Sequence, residues 1–162
     1  MISMVFRNST SNKRYGSKFF EKILKTAAKE LKIKDNFSVS VNLVGEKKIQ
    51  ELNKKYRHKN KPTDVLSFPL NSIFHIPYSI PQDIGDVFVC LSIAKNDAKR
   101  ENITIKEKLA QLTVHGFLHL LGYEHPDDEV SGPRLKRRGE KSKRDAEEMF
   151  KLERKILDKI KL

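Results

Sequence analysis

Three of the chain's five histidines fall inside HGFLHLLGYEH, residues 115 to 125, at His115, His119 and His125. On a helix, residues four apart stand one turn above each other, so His115 and His119 can offer two imidazole nitrogens to one ion. Gly122 lets the chain stop and turn without a Cβ penalty, which allows His125 to close a third corner. Three neutral imidazoles leave a fourth position open for water, the arrangement of a catalytic zinc site. The expected cofactor is one Zn2+ ion, since imidazole suits it; nickel, iron and manganese use similar donors. The bland alternative is three polar residues satisfied by hydrogen bonds on a buried helix.

The same spacing occurs in metzincin peptidases, which carry a glutamate directly after the first histidine to take a proton from the metal-bound water. Here that place is Gly116, which cannot hold a proton. A metzincin-like peptidase is therefore the weaker reading.

A second stretch, YRHKNKPTDVLSFP, spans residues 56 to 69. Arg57 stands at an expected helix end, where its guanidinium could clamp a phosphodiester and counter transition-state charge. As a mere cation at a helix C-terminus it would contribute a few tenths of a kcal/mol. Lys59 and Lys61 follow as candidate phosphate contacts. His58 and His75 are lone histidines in polar loops and read as surface residues.

These residues must be held by elements, and the hydrophobic pattern supplies them. FSVSVNLV, residues 37 to 44, alternates apolar and polar residues as a strand with one buried face. Before it, Phe19, Phe20, Ile23, Leu24, Ala27, Ala28 and Leu31 recur at helical spacing, and MVFR at residues 4 to 7 reads as a short strand. After it, Ile49, Leu52 and Tyr56 line a helix that must end before Pro62. DVLSFP (64 to 69) and IGDVFVCLS (84 to 92) read as two more strands joined by a proline-spaced loop. Ser92 is a candidate cap for a helix through Arg100, and Thr104 with Glu107 forms a capping box for the next. That helix turns Leu109, Leu112, Gly116 and Leu120 inward. A last helix carries Met149, Phe150, Leu152, Ile156, Leu157 and Ile160 mostly on one face. The expected architecture is α+β: one domain over 1–162, a small mixed β-sheet packed against several helices, with the histidines at a helix C-terminal turn.

Composition narrows the function classes. At 162 residues the chain suits one core. Cys90 is the only cysteine, so an internal disulfide or thiolate cage is excluded. The first residues lack a signal-peptide apolar region and no stretch is long enough for a membrane span, which predicts a cytoplasmic protein with no membrane partner. A formal charge of +12 favours a polyanionic partner. RLKRRGEKSKR, residues 134 to 144, concentrates seven basic residues against one acid, including Arg134, Lys136, Arg137 and Arg138. Phe68, Phe74 and Tyr78 could stack bases, although Phe68 in a strand reads as core.

LNKKYRHKNKPTDVLSFP, IGDVFVCLS and HGFLHLLGYEH, taken together and in this order, resemble the YbeY family of metal-dependent endoribonucleases and ribosomal RNA maturation factors. The resemblance implies a zinc ion held by His115, His119 and His125, and Arg57 in catalysis. It also implies cleavage of single-stranded RNA in small-subunit 16S ribosomal RNA 3′-end maturation and in ribosome quality control, with the small-subunit particle as a partner. Two departures stand out: Glu124 replaces the family's usual Asp, and residues 131–144 form a basic insertion before the final helix. The insertion is expected to add a phosphate-binding arm beside the metal site. The competing class is a ribosome-assembly factor that binds RNA around a structural metal, which a side chain such as Asp127, Asp128 or Glu129 in the fourth metal position would favour.

Overall fold

The structure, a computed structural model, describes residues 2–33, 36–70, 82–123 and 141–162, with side chains in the last segment from residue 146 onward. The chain runs β1 (Ile2–Asn8), α1 (Ser17–Glu30), β2 (Phe37–Val44), α2 (Glu46–Arg57), β3 (Val65–Pro69), β4 (Gln82–Cys90), α3 (Leu91–Glu101), α4 (Ile105–Leu120) and α5 (Lys141–Lys159). This is the expected order. The first strand is longer than the apolar MVFR segment because Ile2 through Asn8 all pair with β2.

The sheet order is β1-β2-β4-β3. The first two pairings are parallel and β3 runs antiparallel to β4, so the sheet is mixed. Between Ser38 and Ser40 of β2 the register against β4 slips by one residue, at Ile84 and Gly85. Gly85 has φ +125°, and a Cβ there would stand 2.1 Å from the Phe68 carbonyl oxygen. Only glycine lets β3 approach so closely at the irregularity.

Alternation along the strands divides the apolar side chains between two faces. Val39, Val41 and Leu43 of β2 with Val87 and Val89 of β4 join Phe20, Ile23 and Leu24 of α1, Phe117 and Leu118 of α4, and Met149 and Ile156 of α5. On the other side a smaller cluster joins Val44, Leu66 and Cys90 to Ile49 of α2. The expected single core is thus one large core with a satellite under α2. Phe68 belongs to the satellite, edge-on to Tyr56 and Phe88, so it is core and not a base-stacking platform. Phe74 and Tyr78 lie outside the described residues.

Helix α4 packs against β3, β4, α1, α3 and α5. Its start is the expected capping box: Thr104 Oγ1 accepts from Glu107 N at 3.2 Å, and Glu107 Oε2 accepts from Thr104 N at 2.7 Å. The cap expected at Ser92 is not formed. Helix α3 already begins at Leu91, with Cys90 at its N-cap and no side-chain cap. Ser92 Oγ instead donates to Glu46 Oε1 at 2.7 Å, tying α3 to the start of α2. Among the described residues no helix is long and apolar enough to cross a membrane.

Candidate active site

The end of α4 fixes the histidines. Gly122, at φ +90°, donates its N–H to His119 O at 3.0 Å, and Tyr123 N donates to Leu118 O at 3.1 Å. These two bonds make a Schellman motif, as Gly122 led one to expect. The motif also turns the Tyr123 carbonyl back onto the helix, where it lies 2.7 Å from His119 Nδ1. One turn earlier, His115 Nδ1 lies 3.1 Å from Glu153 Oε2 of α5.

Both anchors dictate the tautomer. A carbonyl and a carboxylate can only accept, so each Nδ1 carries its hydrogen and each neutral ring presents its Nε2 lone pair. The two Nε2 atoms stand 3.0 Å apart. Two lone pairs facing each other at that distance repel unless they share a cation. Two nitrogens bound tetrahedrally to zinc would stand about 3.3 Å apart. The donor set therefore fits a transition-metal ion, with Glu153 and the Tyr123 carbonyl in the outer-shell positions that orient metal-bound histidines. Burial raises the Tyr123 phenol above its ordinary pKa, with Glu148 adding to the effect. His125 and the alternatives Asp127, Asp128 and Glu129 lie outside the described residues, within which no group of three metal-ligating side chains assembles.

Gly116 lies between the histidines on the face toward the sheet. A Cβ at this position would meet Val87 Cγ1 at 2.6 Å and Ser67 Oγ at 3.0 Å, and Ser67 Oγ donates to Gly116 O at 3.2 Å. The place where a metzincin carries its general base is pressed against β3 and β4, with no room for a carboxylate.

A cleft of about 510 Å³ opens beside His115. Arg57 lines it from the end of α2, Lys59 and Lys61 from the turn between α2 and β3, Lys108, Gln111 and His115 from α4, and Phe150 and Glu153 from α5. Asn53 holds the turn in shape: its carbonyl accepts from the N–H groups of His58 and Lys59, and its Nδ2 donates to Lys61 O at 2.7 Å. His58 ends α2 in the left-handed conformation, φ 57°, which swings the chain around so that Lys59 and Lys61 face the cleft with Arg57. His58 itself is exposed and outside the cleft lining, as expected of a surface histidine.

Four site candidates, Arg57, Lys59, Lys61 and His115, thus share one cleft, with His119 joined to it through His115. His75, Arg134, Lys136, Arg137 and Arg138 lie outside the described residues. Asn53, Lys108 and Glu153 were not anticipated. Lys108 stands two helical turns before His115, and that i, i+7 spacing could have revealed it. Glu153 is 38 residues from its partner, and nothing local announces it.

The family described as Endoribonuclease YbeY matches residues 5–141. The chain is 37% identical over 149 residues to Endoribonuclease YbeY of Sulfurihydrogenibium sp. (strain YO3AOP1), covering 92% of this chain and 86% of the relative. It is 36% identical over 143 residues to Endoribonuclease YbeY of Oenococcus oeni, covering 88% and 84%. Its fold is similar to the solution structure of TM1509 from Thermotoga maritima, with a TM-score of 0.58 and 28% identity over 96% of this chain and 87% of that one.

Proposed function

Because the chain belongs to the Endoribonuclease YbeY family, we propose that it hydrolyses phosphodiester bonds of single-stranded RNA in the cleft between α2, α4 and α5. The observation that carries this reading is the pair of histidine Nε2 atoms, each ring fixed through Nδ1, beside a cleft lined with cations. His115 and His119, with His125, would hold one zinc ion. Such an ion polarises a phosphoryl oxygen or lowers the pKa of water toward neutrality.

The remaining work falls to the chain's own side chains. Arg57, whose planar fork matches two phosphoryl oxygens, counters the charge that grows as the phosphate becomes pentacovalent. Lys59 and Lys61 hold flanking phosphates and set the strand's register without reading its bases. Asn53 keeps the three cations on one side of the cleft. Glu153 and the Tyr123 carbonyl keep both Nδ1 atoms protonated and turn both Nε2 lone pairs toward the ion they would hold. Attack by water leaves a phosphate monoester on one fragment and a hydroxyl on the other, whereas attack by the RNA's own 2′-hydroxyl leaves a 2′,3′-cyclic phosphate and a 5′-hydroxyl. The substrate we assign is ribosomal RNA of the small-subunit particle, at 16S 3′-end maturation and in ribosome quality control. The family resemblance and the +12 charge support that assignment.

The test is cleavage of an end-labelled single-stranded RNA, with a duplex of the same sequence as control. Cleavage of the single strand is expected to vanish with chelator and in His119→Ala, and to fall by two to three orders of magnitude in Arg57→Ala, the size of effect typical of one lost oxyanion donor. RNA that binds tightly and stays intact would instead favour the assembly factor with a structural metal.

A further inference from the structure

Lys108 is only 8% exposed, yet it lines the cleft. Its Nζ donates to both carboxylate oxygens of Glu101, at 2.7 and 2.9 Å. Glu101, the last residue of α3, is 37% exposed and also lies 3.8 Å from Arg100 Nη2. Burying an ammonium ion is costly, and an apolar side chain of similar length would join α3 to α4 at least as well. Both Glu101 oxygens approach the same ammonium group from one side, and its three N–H donors point in different directions, so it can serve a second acceptor as well. Glu101 does not line the cleft whereas Lys108 does, so an anion in the cleft meets the lysine without having to displace the acid.

We propose that Lys108 is a further phosphate-binding residue, held ready on the α4 side of the cleft by Glu101. The inference rests on the endoribonuclease reading and names a subsite for it. Seven residues of helix rise place Lys108 about 10.5 Å from His115 along α4. That is too far to touch the same phosphoryl group as the histidines, so Lys108 takes a neighbouring phosphate. It acts on the binding of longer strands and not on the bond-breaking step.

The experiment measures binding of a fluorescein-labelled, 2′-O-methyl single-stranded RNA by the full chain across a salt series. Wild type is compared with Lys108→Met, Glu101→Gln and Glu21→Gln, the last making the same charge change on α1, outside the cleft. Loss of one phosphate contact on a single strand flattens the plot of log K against log salt by about 0.7. Over a fourfold rise in salt, the wild-type advantage over Lys108→Met then shrinks about 2.5-fold. Glu101→Gln is expected to bind more tightly than the Glu21→Gln control. In cleavage, Lys108→Met raises KM for a long RNA and keeps kcat. A wild-type slope in Lys108→Met, or a Glu101→Gln indistinguishable from Glu21→Gln, overturns the inference while leaving the nuclease reading intact. Absence of salt-dependent RNA binding by the wild type overturns both.

Discussion

Gly116 carries two constraints at one residue: its neighbour His115 must reach the cleft while its own backbone presses on the sheet. Alanine there would gain up to about 1 kcal/mol of helix propensity. Against that gain, its Cβ would lie 2.6 Å from a methyl of Val87, a fully buried side chain in a central strand. Valine is stiff at χ1 and β4 is paired on both sides, so neither yields easily. Overpacking of this kind costs about 1–3 kcal/mol, which outweighs the propensity gain. Gly116→Ala is therefore expected to lower the urea midpoint of unfolding by an amount worth up to about 2 kcal/mol. A variant more stable than wild type would mean that α4 can lift off the sheet without penalty. At this scale the sequence was readable where the signal was local. His115 and His119 declared themselves by a spacing of four, and Gly122 by the turn it allows. Glu153 and the Tyr123 carbonyl did not, because one comes from a distant helix and the other is a backbone atom aimed by the turn.

Elements were legible wherever one face is apolar. Strand β2 has the bounds expected from its alternation, and α1 buries Phe20, Ile23, Leu24, Ala27 and Ala28 as its spacing requires. The misreadings came from polar residues with more than one use. Ser92 looked like a cap, but the chain enters α3 one residue earlier and its hydroxyl bridges to Glu46. The capping box of α4 was read correctly because both of its partners lie within four residues. Thr104→Ala is expected to cost about 1 kcal/mol, as loss of a threonine cap generally does. The box also has a pH signature. Hydrogen bonding from Thr104, its side chain first and its backbone N–H second, holds the Glu107 carboxyl below its ordinary value of 4.5. A depressed carboxylate contributes stability that is fully present above the unfolded pKa and is lost as pH falls through the folded one. Glutamine at this position still accepts from Thr104 N but does not titrate. The stability gap between wild type and Glu107→Gln should therefore be flat above the unfolded value, 4.5, and change in the direction of a weakened wild type below it. Urea unfolding of both proteins at a series of pH values measures that gap; a gap independent of pH would show that the box does not favour the ionised acid.

For the whole molecule, composition revealed the excess of positive charge but could not place it. The cleft draws its walls from α2, α4 and α5, which are far apart in sequence, so no window along the chain contains it. The basic stretch is a different case. Helix α5 begins at Lys141, so residues 141–144 belong to a helix and not to the connection that precedes it. Arg134, Lys136, Arg137 and Arg138 belong to the connection between Tyr123, whose carbonyl orients His119, and α5, whose Glu153 orients His115. Covalent connectivity thus ties these four cations at both ends to elements that build the site. Replacing all four with glutamine changes no residue of α5, whereas deleting 134–144 would remove its first turn. If they grip the RNA, the slope of log K against log salt should flatten by up to about 2.8, four single-strand contacts' worth. Cleavage of an RNA too short to span the cleft should keep its kcat. An unchanged slope would confine RNA binding to the cleft cations and make the basic stretch a solvated segment that RNA does not touch.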